Sequence, residues 1–384
     1  MKKNTRKGGS HVKKEWEKQP WRLVPNKIVR YPGGREIDRF RGILPAMDDG
    51  RPEAWVGSDT ATFQADKTGD PYDGCAQCLS PDGEAMYLFE ALQSNPEGLL
   101  GPEHTKQFGS KLGVLVKLLD AKEQLGLQCH PSRTYAKEYF HSDFGKEESW
   151  YILSTRGDSE EPPYVLLGFR EGVTRQIFEE AYDRGDVRAM EQCCHKVPVK
   201  PGDTFFIAAG LPHAVGCGCF MVEVQEPSDI TVGWEKLLKG ASEEEEEAHK
   251  QRLLGCYDYD GAGWEENLRR HQVRPTCLRQ GDWGEEYEII GPKQTSYFSF
   301  TRLQARNRVT LWRPETAQIA IVLEGSGTLC CGGKRYDLKK GQEWFFPYAM
   351  EETWIEPEEG REVSLILAKP AGAKRPVRKN TLSF

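Results

Sequence analysis

Short apolar or alternating runs, each closed by glycine or proline, recur along almost the whole chain, and this punctuation constrains the fold more than any other feature. Residues 116–131 read VKLLDAKEQLGLQCHP, Glu148–Leu153 follow, and Thr204–Ala209 sit between Gly202 and Gly210. Further on come Ser296–Phe300, Ala317–Leu323 and a run from Gly341 to Pro347. Each has strand length and turn residues at its ends. With 39 Gly and 23 Pro in 384 residues, the chain favours many strands and turns over long helices. The fold class is therefore mainly β. Helical periodicity is confined to insertions: residues 83–110, a stretch opened by Ser132 as N-cap, and 174–192 with a break at Gly185.

The length admits two domains with buried cores. Composition divides the chain into a mobile basic tail (1–20), a first domain (21–235), a charged and partly helical linker (236–284) holding five consecutive glutamates, a second domain of short strands (285–370) and a C-terminal extension (371–384). A formal net charge of -7 argues against nucleic acid as a partner, because phosphate backbones need a basic surface. No apolar run reaches the roughly 18 residues of a membrane span, and the N-terminus lacks the apolar centre of a signal peptide. Eleven cysteines, an odd number in a large chain, read as thiols of a cytoplasmic protein rather than a disulfide framework. Cys75-x-x-Cys78 has no second pair to complete a four-cysteine metal site.

One group of residues carries chemistry. Gln128 and His130 are two apart in an apolar run, so a strand's period of two puts both on one face. Glu148 opens the next strand on the face of Trp150 and Ile152, whereas its neighbour Glu147 shares the face of Ser149. His213 ends the strand and turn that begin at Gly202. Two imidazoles, a carboxylate and an amide oxygen suit one Zn2+ or a neighbouring divalent ion, with a coordination position left open.

These pieces occur in a telling order: Gln128-x-His130-Pro131 after an LLDAK strand, Lys146-x-Glu148-x-Trp150-Tyr151, a Gly202-Asp203 strand ending in Gly210-x-x-His213-Ala214, and VEVQEPSD ending at Asp229. Together they resemble the class I mannose-6-phosphate isomerases in their shorter bacterial form. Gly325-x-Gly327 and the Gly341–Pro347 run resemble the second half of a cupin. The resemblance implies two cupin (jelly-roll β-barrel) domains with small helical insertions. It implies a metal held by Gln128, His130, Glu148 and His213, acid/base roles for Lys146 and Asp229, and a place beside the active site for Trp55 of Glu53-x-Trp55-x-x-Ser58, where the indole contacts substrate or fills the barrel mouth. The implied activity interconverts mannose 6-phosphate and fructose 6-phosphate through an enediol, so the implied partner is a small-molecule sugar phosphate. The second cupin holds no histidine, His271 being the last in the chain, and is expected to have a structural or pocket-shaping role.

Two positions depart from the family. Its Ser two residues before the Gln is Gly126 here, and the arginine of its Ser-Asp-x-x-x-Arg is Gly233. Both losses remove natural anion contacts; either Lys117, as a substrate contact, Lys122 or an arginine elsewhere compensates, or the substrate is not the phosphorylated hexose. An isomerase of an unphosphorylated sugar and a non-catalytic sugar-binding cupin therefore stand beside the first reading.

Overall fold

The computed structural model describes residues 12–63, 69–159, 161–233, 242–312 and 315–370. The C-terminal extension, most of the basic tail and residues 236–241 of the linker lie outside the described residues.

Two sheets face each other to make the first barrel. One runs in the order Thr204–Ile207, Glu148–Thr155, Cys219–Gln225, Leu115–Ala121, Glu53–Val56 and Lys27–Ile28. The other runs Cys194–Pro198, Tyr164–Phe169, His213–Val215, Gln128–Cys129 and Val232–Gly233. Leu119, Trp150 and Ile152 from the first sheet pack with Val165, Leu167 and Val215 from the second, filling one end of the barrel with apolar side chains.

Strand Leu115–Ala121 is buried at every residue, and its period of two explains why. Val116 and Leu118 point outward into a large core shared with the second barrel, while Lys117, Leu119 and Ala121 point into the first. Strand Cys219–Gln225 divides in the same way, with Phe220, Val222 and Val224 outward and Met221 and Glu223 inward. Alternation thus delivers a lysine and a glutamate to the barrel interior from strands that look uniformly apolar outside.

The second barrel joins Phe298–Ala305, Val363–Pro370, Gln318–Glu324 and Glu343–Phe346 on one side to Val309–Thr310, Thr353–Pro357, Ser326–Cys331 and Lys334–Lys339 on the other. Leu303, Val322, Leu329, Phe346, Ile355 and Leu365 fill it. Along Gln318–Glu324, Ala320 and Val322 face this interior, whereas Ile319, Ile321 and Leu323 face the first barrel. Each fully buried aliphatic there contributes about 1.5–3 kcal/mol, so the two barrels are joined by apolar packing.

Strand pairing also crosses the boundary that composition places near residue 235. Trp21–Leu23 pairs with Glu343–Phe346, and the hairpin of Gln77–Leu79 and Ala85–Tyr87 extends that sheet further. These N-terminal segments complete the second barrel's sheet rather than the first's, a division that a three-residue strand cannot signal. The insertions form as their sequences require: Ser132 caps Arg133–Phe140 by accepting from the Tyr135 N–H, and Gly185, at φ 64°, separates Arg175–Asp183 from Val187–Gln192. The glutamate block opens helix Glu243–Cys256, capped by Ser242 and Glu245. Among the described residues no helix is long and apolar enough to cross a membrane, and the eleven cysteines are all free thiols.

Candidate active site

Strand register assembles the candidate metal ligands. His213 lies directly opposite Gln128, and Gln128 directly opposite Gly233, so one row crosses the second sheet. His130 follows two residues after Gln128, its carbonyl accepting from the Gly210 N–H at 2.7 Å. Glu148 enters from the facing sheet, paired with Ile207 and Gln225. The ligand atoms of His130, Glu148 and His213 lie within 4.8 Å of one another, and all three residues are buried.

The donor set fits a divalent cation. His213 Nδ1 is 2.8 Å from the Leu211 carbonyl, which places the proton on Nδ1 and leaves the Nε2 lone pair facing inward, 3.4 Å from Glu148 Oε1. His130 Nε2 is 3.1 Å from Glu148 Oε2, and both side chains are buried. Burial, then the Lys146 charge, pushes His130 down to about 3, and burial lowers His213 as well. Both rings are therefore neutral at physiological pH, the form that ligates metal. Burial opposes ionisation of Glu148, but the adjacent Lys146 charge outweighs it and holds the carboxyl well below its ordinary range. The Gln128 amide lies 3.3 Å from His213 Nε2, beside the three.

Lys146 Nζ stands 2.8 Å from His130 Nε2 and 3.2 Å from Glu148 Oε2. It lines a cavity of roughly 810 Å³ together with Gln128, Glu148, Lys117 and Asp229. Lys117 Nζ is 2.9 Å from Glu223 and 3.6 Å from Glu53. One ammonium shared by two carboxylates splits them. Glu53 is lowered, because Lys117 and Arg30 outweigh its burial, whereas Glu223 is raised by burial and by the nearby Glu148 and Glu53 charges despite Lys117.

Trp55 is placed differently from its sequence-based role. It is fully buried and does not line the cavity. Its indole N–H donates to Glu53 Oε2 at 2.9 Å, and Lys117 Nζ and the Arg30 guanidinium lie 5.2 and 5.7 Å from its ring centre. Trp55 is thus a floor beneath the charged groups rather than a surface for substrate. Glu147 is directed away from the ligands: its backbone N–H donates to Glu226, and its carboxyl neighbours Thr295 of the second barrel.

Sequence reasoning assigned no role to Arg30, Tyr31, Glu53 or Glu223, all of which line the cavity. Glu223 was open to discovery, since period two from Met221 points it inward. Arg30 gave no such signal, because it contacts Asp229 across 199 positions of sequence.

The family described as mannose-6-phosphate isomerase, cupin domain, matches residues 290–364. The probable mannose-6-phosphate isomerase GmuF of Bacillus subtilis is 27% identical over 88% of this chain and 96% of its own length. Mannose-6-phosphate isomerase ManA of the same organism is 26% identical over 65% and 73%. Among solved structures, a putative mannosephosphate isomerase from Archaeoglobus fulgidus superposes with a TM-score of 0.69 at 19% identity, covering 91% of this chain and 97% of that one. The crystal structure of the Bacillus subtilis mannose 6-phosphate isomerase gives 0.67 at 21% identity, covering 91% and 99%.

Proposed function

We propose that this chain, which fits the class I mannose-6-phosphate isomerase family of cupins, is a metal-dependent aldose-ketose isomerase that interconverts mannose 6-phosphate and fructose 6-phosphate. The observation that carries this reading is the convergence of two neutral imidazoles and an ionised carboxylate beside a buried lysine in a polar cavity.

His130, Glu148 and His213, with Gln128 beside them, would hold the ion, for which zinc suits the mixed nitrogen and oxygen donors. A bound divalent ion supplies Lewis-acid stabilisation of the oxygen on which negative charge develops. The protein's own groups do the rest. Moving a proton between neighbouring carbons through an enediol requires a group that can hold it and another that steadies the anion. Lys146 Nζ, aimed at the ligand atoms, steadies that charge. Asp229 is oriented by Arg30 and by the Phe63 N–H, at 2.6 and 2.9 Å, and serves as an acid/base participant. Glu223, raised by burial, is a second carboxyl suited to holding a proton closer to neutral pH. Lys117, fixed between Glu53 and Glu223, contacts substrate from the cavity wall.

A second reading, isomerisation of an unphosphorylated sugar, rests on Gly126 and Gly233, which both line the cavity and offer it no side chain. A coupled isomerase assay over sugars and their 6-phosphates, run with added zinc, tests both. Turnover of mannose 6-phosphate well above that of mannose supports the first reading, turnover of mannose alone supports the second, and turnover of neither overturns both.

A further inference from the structure

We propose that Arg30, reaching in from the N-terminal segment, is the residue that holds the anionic end of a phosphorylated substrate, in a cavity that Gly233 also lines. This rests on the isomerase reading and specifies its substrate class. Arg30 follows strand Lys27–Ile28, at the edge of the first sheet, and its backbone N–H donates to the Gly50 carbonyl at 3.0 Å. Its side chain is 8% exposed and lines the same cavity as Lys146, Asp229 and Gly233.

The guanidinium is preorganised on its faces and underused along its edges. Phe63 and Trp55 lie against it, with ring centres 4.9 and 5.7 Å from Cζ, so the planar group is held in orientation by aromatic surfaces. One of its donors bonds to Asp229, while Nε is buried with no partner at all. A buried, unsatisfied guanidinium N–H is costly unless something accepts from it. A phosphate presents several acceptor oxygens in the geometry an arginine fork matches. Among the described residues, the other two cations lining the cavity are engaged elsewhere, Lys117 by Glu53 and Glu223 and Lys146 by the ligand atoms of His130 and Glu148. Among the described residues Arg30 is thus the cavity cation with donor capacity to spare, and it stands in a cavity where position 233 is a glycine.

Two measurements on the full-length, zinc-loaded protein test this. Binding of fructose 6-phosphate and of inorganic phosphate by titration calorimetry should weaken roughly ten- to a hundred-fold in Arg30→Met, the change expected for losing a charge-assisted contact to an anion. In the coupled assay kcat/KM should fall for both substrates, because Arg30 also orients Asp229, but the loss should be roughly ten- to a hundred-fold larger for mannose 6-phosphate, which alone loses the anion contact. Arg30→Lys, which retains the charge but not the planar fork, should show an intermediate loss at an unchanged melting temperature, and it carries the test if Arg30→Met does not fold. Unchanged phosphate binding in a folded variant, or equal losses on mannose and mannose 6-phosphate, would overturn the assignment. Calorimetry needs no turnover, so an inactive parent that binds phosphate through Arg30 would sink the isomerase reading and leave this one standing.

Discussion

The two barrels share a strand architecture and differ in what fills them. The second is packed with Leu303, Val322, Leu329, Phe346 and Leu365. The first has apolar packing at one end, and at the other it buries His130, His213, Lys117, Lys146, Glu148 and Glu223. Charged groups in a barrel interior lose hydration that only pairing or a bound ion can offset. The first barrel offsets it with shared ion pairs and a candidate metal-ligand set, whereas Glu286 and Glu343, the carboxylates buried on the second barrel's strands, are matched one to one by Arg279 and Arg41. The two barrels therefore differ at a handful of inward positions on otherwise similar strands.

Several changes would break or sharpen this contrast. The largest effect is expected at adjacent residues of the first barrel. Glu148→Gln removes the only carboxylate of the ligand set and should reduce kcat/KM by orders of magnitude, while Glu147→Gln, facing the second barrel, should change it less than about threefold. Equal effects in steady-state kinetics would show that the two faces are not distinct. In the second barrel, Phe346→Ala empties a fully buried position and should cost about 3–5 kcal/mol in denaturant unfolding, with metal content unchanged. Zinc at about a hundred times its dissociation constant should raise stability by about 2.7 kcal/mol, and this gain should persist in Phe346→Ala but vanish in His213→Ala, as read by thermal unfolding.

The smallest effect is acid sensitivity. Asp48 is lowered by hydrogen bonds from Arg156, which outweigh its burial, the same guanidinium also gripping Asp120. A depressed carboxyl contributes stability that is fully present above its unfolded pKa and is lost as pH falls through its folded one. Below about pH 4, the melting temperature of the parent should drop more steeply than that of Asp48→Asn. Parallel curves would remove Asp48 from the list of acid-sensitive groups.

The grouping of the candidate metal ligands was legible in part because strand alternation is a short-range rule. It places Gln128 with His130 and separates Glu148 from Glu147 without any knowledge of the partner strands. Trp55 was misplaced for the opposite reason: an indole beside a cavity and an indole beneath its charged floor have the same sequence, and the difference lies in Lys117 and Arg30 crossing over the ring. Trp21–Leu23 reads as an ordinary N-terminal strand, yet it pairs with Glu343–Phe346 more than 300 positions away. Arg30 was illegible on the same ground. Contacts that depend on which distant strands meet are set by the packing of the two barrels, which no local pattern records.

The claim that one barrel carries the chemistry is tested most directly by metal stoichiometry. Elemental analysis of the purified, zinc-exposed protein should give close to one divalent ion per chain, with the ion absent from both His130→Ala and His213→Ala while their folds are retained by circular dichroism. Full retention of metal in either folded variant, or a second ion held by the histidine-free barrel, would contradict it.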